Sequence, residues 1–259
     1  MRNIDLNCDM GESFGVYTLG LDEEVIKYIS SANVACGWHA GDARVMNRTV
    51  QLAKSHNVGV GAHPGYPDLP GFGRRNMDCT GEEVRDYVIY QVGALLAFCA
   101  ANGVPLRHVK PHGSLYLTAV NDAGVAEAVA EAVVSVNPDL LYVALAGAGG
   151  DFMRRVAEKI GLKVVYEAFA DRAYTSDGKL LPRRQPGAVI TNAMEVTERA
   201  LRMAKEGKVI AVDGTSMDLE IDTLCVHGDN PGAVELVKSI RTALESEGVI
   251  VQPMSGRPN

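Results

Sequence analysis

Short runs of apolar and β-branched residues alternate along the chain with longer segments whose apolar residues recur at helical spacing. The runs are IDLN at 4–7, ANVAC at 32–36, VGVGA at 58–62, RHVK at 107–110, LYVALA at 141–146, KVVYEAFA at 163–170, VIAVD at 209–213 and TLCV at 223–226. In the segment after Thr80, Val84, Val88, Val92 and Leu95 would line one face of a helix. The alternation predicts an α/β protein in which seven or eight strands form a parallel sheet with right-handed crossovers.

Helix boundary signals support this succession of units. Thr80 stands three residues before Glu83, which is the spacing of a capping box. Asn121-Asp122 and Asn230-Pro231 are further helix starts, and the predicted stops are Gly103, Gly161, Gly207 and Gly248. We expect the sheet to close into a TIM-like (β/α) barrel rather than to stay open and doubly wound. Because no linker, charge block or repeat divides the sequence, we expect residues 1–259 to form a single domain.

Composition narrows the classes of partner and the compartment. The chain has 259 residues, 47% of them hydrophobic, so it can bury a sizeable core. Its formal charge of −7 and its scattered Lys and Arg argue against nucleic acid. Its five cysteines are odd in number and form no CxxC pair, which favours a reducing compartment. With neither a signal peptide nor about 18 uninterrupted apolar residues, we expect a cytoplasmic protein without a membrane span.

Polar residues collect directly after the predicted strands. Because the carboxyl ends of parallel strands meet at one end of a barrel, these side chains are expected to share a pocket. Glu167 closes the sixth predicted strand in the same way. The strand ends and the loops that follow them supply the candidate site residues. The catalytic candidates are Asp9, His39, His63, Lys110, His112 and Asp171, and the substrate-binding candidates are Asn7, Glu12, Asp42, Tyr66, Arg74, Arg75, Arg172, Asp213 and His227.

Each of these residues also has a purely structural reading. A strand-end histidine often only bonds a backbone carbonyl, but four of the six histidines occupy strand ends, which favours function. His56 and His108 are assigned structural roles. Asp5, Asn7 and Asp9 alternate and therefore face one side of a strand, the barrel interior. Asp5 is equally compatible with a hydrogen-bond network at the barrel floor and with catalysis.

The segment GAHPGYPDLPGFGRR at 61–75 is rich in glycine and proline and ends in two arginines. It is either an ordinary surface loop or a binding loop at the pocket mouth, where arginines would hold a small anion. The sequence has no GxxxxGK[ST], GxSxG or HExxH motif. Carboxylates and imidazoles remain, the groups of general acid–base catalysis and metal-assisted hydrolysis.

Several long blocks of the sequence resemble the LamB/YcsF family, in order and across nearly the whole chain. They are DLNCDMGESFG, NVACGWHAGD, GAHPGYPDLPGFGRR, VKPHGSLY, EAFADRAY, LLPRR and VHGD. The resemblance implies a (β/α) barrel variant distantly related to polysaccharide-deacetylase-like enzymes. It also implies a hydrolase acting on a cyclic amide, namely the opening of 5-oxoproline to glutamate with ATP as co-substrate. Two further subunits, B and C, are the implied partners.

The resemblance also suggests a chemistry. Phosphorylation of the lactam oxygen would activate the ring, an Asp or His would activate water, a His or Lys110 would protonate the leaving nitrogen, and arginines would hold the substrate carboxylate and the phosphate. By analogy with deacetylase-like barrels, Asp9, His63 and His112 would hold a divalent metal of unknown identity. Two alternatives stay open: a stand-alone metal-dependent amidase or deacetylase acting on a sugar or lactam, and a non-catalytic protein that only binds 5-oxoproline.

Overall fold

The computed structural model describes residues 2–226 and 232–256. The strands are β1 Asn3–Met10, β2 Ser31–Ala35, β3 Gly59–His63, β4 Leu106–Val109, β5 Leu141–Leu145, β6 Lys163–Phe169, β7 Lys208–Ile210, β8 Ser216–Asp218, β9 Thr223–Cys225 and β10 Ile250–Val251. The helices are α1 Asp22–Val25, α2 Ala43–Ser55, α3 Gly81–Asn102, α4 Gly113–Asn121, α5 Ala123–Val136, α6 Asp151–Ile160, α7 Ala193–Glu206 and α8 Ala233–Ser246.

Seven parallel strands close into a barrel. They pair in the order β1, β2, β3, β4, β5, β6 and β9, and β9 pairs back to β1. The short β10 extends the sheet beside the beginning of β1, where Asn3 is opposite Ile250. Helices connect most of the consecutive barrel strands, as right-handed crossovers require. The predicted TIM-like barrel is therefore confirmed.

One predicted strand does not belong to the barrel. VIAVD at 209–213 was expected to be its seventh strand, but β7 pairs antiparallel with β8 in a separate two-stranded sheet. The reason is the turn at Asp213-Gly214, where Gly214 has φ +86°. An Asp-Gly turn reverses the chain within a few residues, so β7 pairs locally. The seventh position in the barrel is taken by TLCV, as β9.

The helix α3 begins and ends where the sequence predicts. Thr80 and Glu83 form a reciprocal capping box, and Gly103 is the C-cap. Its 22 residues are long and apolar enough to cross a membrane by length and composition alone. Val88, Val92 and other residues of α3 are nevertheless fully buried in the protein core. This burial is compatible with a core helix of a soluble protein. The predicted helix start at Asn230-Pro231 lies outside the described residues.

The barrel interior is polar, and a chain of hydrogen bonds runs through it from one end to the other. Thr223 donates to Asp5 (2.5 Å), and the Asn7 amide donates to Thr223 (2.6 Å). The Asn33 amide donates both to Asn7 Oδ1 (2.7 Å) and to Asp9 Oδ1 (2.9 Å). Asp5, Asn7 and Asp9 thus share the interior face of β1, as their alternation predicts. This chain of hydrogen bonds connects the barrel floor to the carboxyl ends of the strands.

His108 crosses the same interior. Its Nε2 lies 2.7 Å from Asn33 Oδ1, whose amide group already donates twice, so Nε2 is the donor. The imidazole passes over β3 at Gly61, where an added Cβ would overlap the ring. Burial lowers the pKa of His108 to about 3, so this residue is a neutral structural histidine.

Candidate active site

The carboxyl ends of β1 to β4 bring the central predicted residues together. His39, His63 and His112 are almost fully buried, at 0%, 1% and 4% exposure. These side chains come from four different strand ends because the parallel strands all finish at the same end of the barrel. The contributing residues are Asp9 and Glu12 after or at the end of β1, His39 after β2, His63 at the end of β3, and Lys110 and His112 after β4.

Three imidazoles form the centre of the site. The rings of His39 and His112 are stacked with centroids 3.7 Å apart. His63 stands perpendicular to both, at 4.9 Å from His112 and 5.5 Å from His39. Burial, followed by the neighbouring imidazoles, lowers the pKa of His39 well below its usual value and that of His112 to about 3. The stacked pair is therefore neutral at physiological pH.

Backbone carbonyls fix the tautomers of two of these rings. His63 Nδ1 donates to the carbonyl oxygen of Lys110 (2.7 Å), and His112 Nε2 donates to that of Phe72 (2.8 Å). Because a carbonyl oxygen can only accept, each of these nitrogens carries the proton. With a neutral His63 beside His112, His63 Nε2 and His112 Nδ1 would both present lone pairs, and the two nitrogens lie 3.0 Å apart. Two lone pairs at that distance require a shared electrophile, either a proton or a cation.

Glu12 completes this group. Its Oε1 lies 3.5 Å from His39 Nε2 and 3.8 Å from His112 Nδ1, and its side chain is 10% exposed. One ligand atom from each of Glu12, His39, His63 and His112 lies within 4.8 Å of the others. Three imidazole nitrogens and one carboxylate are a donor set suited to a transition metal of the zinc type. We call these four residues the Glu-His cluster.

A second group lies next to the Glu-His cluster. Lys110 Nζ is 3.0 Å from Asp9 Oδ1 and 2.8 Å from Glu167 Oε1, and its side chain is 4% exposed. Burial alone would lower the pKa of Lys110, but the Asp9 and Glu167 carboxylates outweigh it and raise that pKa well above its usual value. Lys110 is therefore a permanent ammonium. Asp9 connects the two groups, because its Oδ2 is 3.3 Å from His63 Nε2.

The charges of the two groups do not balance. Within the described chain, the Glu-His cluster and the neighbouring group contain the carboxylates of Asp9, Glu12 and Glu167 but a single ammonium, Lys110. Buried or half-buried carboxylates need cations or donors. A bound divalent cation would compensate the excess of two negative charges.

The loop after β3 packs over the imidazoles, as expected for a binding loop. Phe72, whose carbonyl binds His112, adopts a left-handed conformation with φ 53°. Its ring lies edge-on to His112 at 5.2 Å and to His39 at 5.8 Å. A Cβ on the next residue, Gly73, would come within 2.7 Å of His112 and 2.8 Å of His39. Phe72 is a non-glycine residue in a left-handed conformation, and Gly73 has no room for a side chain. Such backbone constraints are typical of loops at functional sites.

Several residues predicted to bind substrate are not brought to this site. Asp42 caps α2 by accepting from the amides of Arg44 and Val45, and Asp213 is exposed in the β7–β8 turn, where it accepts from the Thr215 amide. Tyr66 is buried in the core. The remaining two are held by local partners: Arg75 by Asp68, and Arg172 by the carbonyls of Leu181 and Ala188. In each case the side chain that was predicted to bind substrate instead makes a contact in a turn, a helix cap or the core.

Four further predictions have intermediate outcomes. Asn7 lies inside the barrel and not at its mouth, where it donates to Glu167 (3.1 Å) as well as to Thr223. Asp171, 8% exposed, follows β6 at the same end of the barrel. Arg74 is exposed and covers the Phe72 ring at 4.9 Å, so it stands at the rim of the site. His227 lies outside the described residues.

The candidate metal-binding group differs from the predicted one in two of its members. The sequence suggested Asp9, His63 and His112, whereas the structure groups His63 and His112 with His39 and Glu12. Asp9 is drawn away because its Oδ1 is held by Lys110 and by the Asn33 amide. Glu167, which the sequence placed at a strand end without a role, is fully buried and bonded to Lys110. The signal available was an acidic residue among the polar residues near the end of the sixth predicted strand.

Comparisons with known proteins agree along the whole chain. The LamB/YcsF family model matches residues 4–258. A protein from Pyrococcus horikoshii that is named as the A subunit of 5-oxoprolinase is 57% identical over 251 residues, which cover 97% of both chains. The crystal structure of a lactam utilization protein from Thermus thermophilus is 50% identical, with a TM-score of 0.92 over 97% of this chain and 100% of that one.

A more distant structural likeness concerns the fold alone. The catalytic domain of a peptidoglycan N-acetylglucosamine deacetylase from Eubacterium rectale is 14% identical, with a TM-score of 0.50 over 99% of this chain and 93% of that one. The two chains share the barrel fold that the sequence predicts.

Proposed function

Because the chain belongs to the LamB/YcsF family, we propose that it is the A subunit of an ATP-dependent 5-oxoprolinase. This hydrolase opens the cyclic amide of 5-oxo-L-proline to L-glutamate while ATP is converted to ADP and phosphate. The observation that carries the proposal is the 57% identity, over 97% of both chains, to a protein of that name. The Glu-His cluster and the neighbouring group of Asp9, Lys110 and Glu167 supply suitable chemistry at the barrel mouth.

The need for ATP follows from the substrate. In a five-membered lactam the amine is held beside the carbonyl, so ring closure is easy and hydrolysis is weakly driven. We propose that the lactam oxygen takes the γ-phosphoryl group of ATP. Water then adds to the ring carbon, and the C–N bond breaks to give γ-glutamyl phosphate. A second water releases phosphate, so that two waters and one ATP are consumed for each glutamate formed.

Asp9 and Lys110 are the residues of this chain that we assign to the reaction itself. Asp9 takes the proton of the attacking water and returns it to the leaving nitrogen, in the manner of a general base that becomes a general acid. Lys110, held as an ammonium by two carboxylates, stabilises the negative charge that develops on the substrate oxygens. This division replaces Lys110 as the proton donor, since a lysine with a raised pKa keeps its proton.

We further propose that Glu12, His39, His63 and His112 hold a divalent transition metal. The fixed lone pairs of His63 and His112 and the excess of carboxylates support it. A cation held there would supply Lewis acidity toward the lactam carbonyl. The isolated wild-type chain and its His56→Ala control should bind about one Zn²⁺ or Co²⁺ per chain after dialysis, measured by elemental analysis. His112→Ala and Glu12→Gln should lose most of it, and equal metal content in all four proteins would refute this assignment.

The partners and the site of ATP binding are a further part of the proposal. No P-loop is present in the sequence, so we assign ATP binding to the B and C partners, and the reaction to the cytoplasm, where the unpaired cysteines stay reduced. A turn beside the mouth supports a partner at this end of the barrel. Phe14 and Tyr17 pair across it, and Val16 and Tyr17 are 92% and 75% exposed. Exposed apolar groups on an ordered turn are typical of protein interfaces.

Reconstitution tests the proposal. The chain, the two partner subunits, 5-oxoproline and ATP should together form glutamate and ADP in equal amounts. Omission of the chain or of ATP should abolish glutamate formation. Glutamate formation by the partner subunits alone would overturn the assignment.

The Glu-His cluster favours one second candidate, a stand-alone metal-dependent amidase or deacetylase. That enzyme would hydrolyse a lactam or an acetylated sugar without ATP and would lose activity with a chelator. A third possibility, a non-catalytic chain that only presents 5-oxoproline, predicts that His112→Ala lowers substrate affinity and turnover in proportion. A catalytic site instead loses turnover while substrate affinity is retained.

A further inference from the structure

Glu167 stands behind Lys110, away from the Glu-His cluster. It is fully buried on the interior face of β6, and its Oε1 receives both the Lys110 ammonium (2.8 Å) and the Asn7 amide (3.1 Å). Its other oxygen, Oε2, is also buried and has no hydrogen-bond partner in the described chain. A carboxylate kept only for structure would be expected to have both oxygens bonded. The arrangement therefore has a cost that the fold alone does not explain.

The bonds of Lys110 explain what this carboxylate achieves. An ammonium has three N–H groups. Two of them have strong charged acceptors, Asp9 and Glu167. The third has only long or weak acceptors, Asn7 Oδ1 at 3.4 Å and Cys225 Sγ at 3.2 Å. The two carboxylates thus fix the ammonium in place and leave one donor weakly engaged beside Asp9.

We infer that Glu167 is a positioning residue for the ring-opening reaction: by holding Lys110 from the barrel interior, it sets the place of the ammonium that stabilises charge on the substrate. Without Glu167, Lys110 would keep Asp9 as its single ionic partner and could swing toward it. The Asn7 amide would also lose its anchor on β6. Residues that orient an active-site group from behind typically contribute tenfold to hundredfold in rate. This inference rests on the proposed function and adds a residue to it.

Glu167→Gln is the first test, because it removes the charge while the side chain keeps its shape. In the reconstituted complex, we expect kcat to fall about 10- to 100-fold while KM for 5-oxoproline changes less than about threefold. The metal content of the isolated chain should stay at the wild-type value, since Glu167 touches no member of the Glu-His cluster. Tyr142→Phe is the matched control: its buried hydroxyl also has no partner in the described chain, and its kcat should not change.

The variant that carries both Lys110→Met and Glu167→Met separates positioning from stability. Replacing a buried ion pair with apolar residues is often neutral or stabilising, so this chain should fold. If the pair served only to neutralise charge in the barrel, the double variant would turn over at near the wild-type rate, and the inference would be wrong. We expect a folded protein whose turnover is as low as that of Lys110→Met alone, and Glu167→Gln to add little further loss in a Lys110→Met background. If Glu167→Gln does not fold, Glu167→Asp decides instead: it keeps the charge but shortens the reach to Lys110, so kcat should fall while KM is retained, and an unchanged kcat would make the inference wrong.

The outcomes also separate this inference from the proposed function. A wild-type complex without ATP-dependent glutamate formation would overturn the proposed function. A fully active wild-type complex whose Glu167→Gln variant is equally active would overturn only the role of Glu167.

Discussion

At the scale of single residues, the hydrogen-bond and ionic partners of a polar side chain show whether that side chain belongs to the candidate site or only supports the fold. Asp42, as the N-cap of α2, and Asp9, beside Lys110, are both acidic residues at or just after a strand end. In sequence they look equivalent, because a helix N-cap and a catalytic carboxylate fall at the same place in a βα unit. Glu12, expected to bind substrate, instead takes the place beside the imidazoles that was expected of Asp9. Only the three-dimensional position of Lys110 decides which carboxylate joins the imidazoles.

Asp5 at the barrel floor gives a test of the interior hydrogen bonds. Burial raises the pKa of Asp5 to about 6, against the hydrogen bonds from Thr223, Ser31 and Ser30 that lower it. Because the pKa of Asp5 is higher in the folded than in the unfolded protein, the folded protein binds this proton more tightly. The stability from this group is therefore present below about pH 4 and is lost as the pH rises through about 6.

Asp5→Asn should remove this dependence on pH. Relative to wild type, the free energy of unfolding of the variant should increase by about 2 kcal/mol between pH 4 and pH 7. Urea denaturation of both proteins across this range measures the difference. A difference that stays constant with pH would show that Asp5 titrates normally.

At the scale of elements, the barrel strands hold the site and the loops shape it. The imidazoles sit at or just beyond strand ends, whereas the loop after β3 closes over them through Phe72 and Gly73. The sequence predicted seven or eight barrel strands because alternating apolar runs and capped helices are local signals. It misplaced VIAVD because pairing of β7 with β8 is decided by a turn and not by apolar content.

Gly73→Ala tests the loop. The residue has φ +60°, and a Cβ would press against His112 and His39, so the imidazoles must move. We expect turnover of the complex to fall by at least about tenfold and the isolated chain to lose about 1–3 kcal/mol of stability. Gly93→Ala in α3 is the control, since a Cβ there meets nothing within 4 Å. That variant should be active and up to about 1 kcal/mol more stable. Equal behaviour of the two variants would contradict the role of the loop.

The apolar turn at 14–17 is the second element to test. Val16→Ser combined with Tyr17→Ser should leave the fold and the metal content unchanged, because both side chains are exposed. Affinity for the B and C partners, measured by titration calorimetry, should fall by at least about tenfold. Ile250→Thr is the control: Ile250 is 41% exposed and pairs with the start of β1, at the opposite end of the barrel. Unchanged affinity in the double variant would place the partner elsewhere.

At the scale of the molecule, a polar barrel interior links a structural floor at Asp5 to a reactive mouth at Asp9. The sequence located the mouth, because strand ends of a parallel barrel must converge. It did not separate the metal-type donors from the ammonium group, since that division depends on distances of 2.8–3.8 Å between residues far apart in the chain. In the proposed function, this chain supplies one half of the reaction and partner subunits supply the other.

The most direct test of the account is glutamate formation from 5-oxoproline and ATP by the complete complex, in which this chain is wild type, His112→Ala or His56→Ala. His56 is an exposed histidine at the end of α2, so its removal controls for the loss of an imidazole. The account predicts that His56→Ala matches wild type. His112→Ala should assemble with the partners yet lose at least about 100-fold in kcat. Full activity of an assembled His112→Ala complex would show that the ring is opened elsewhere.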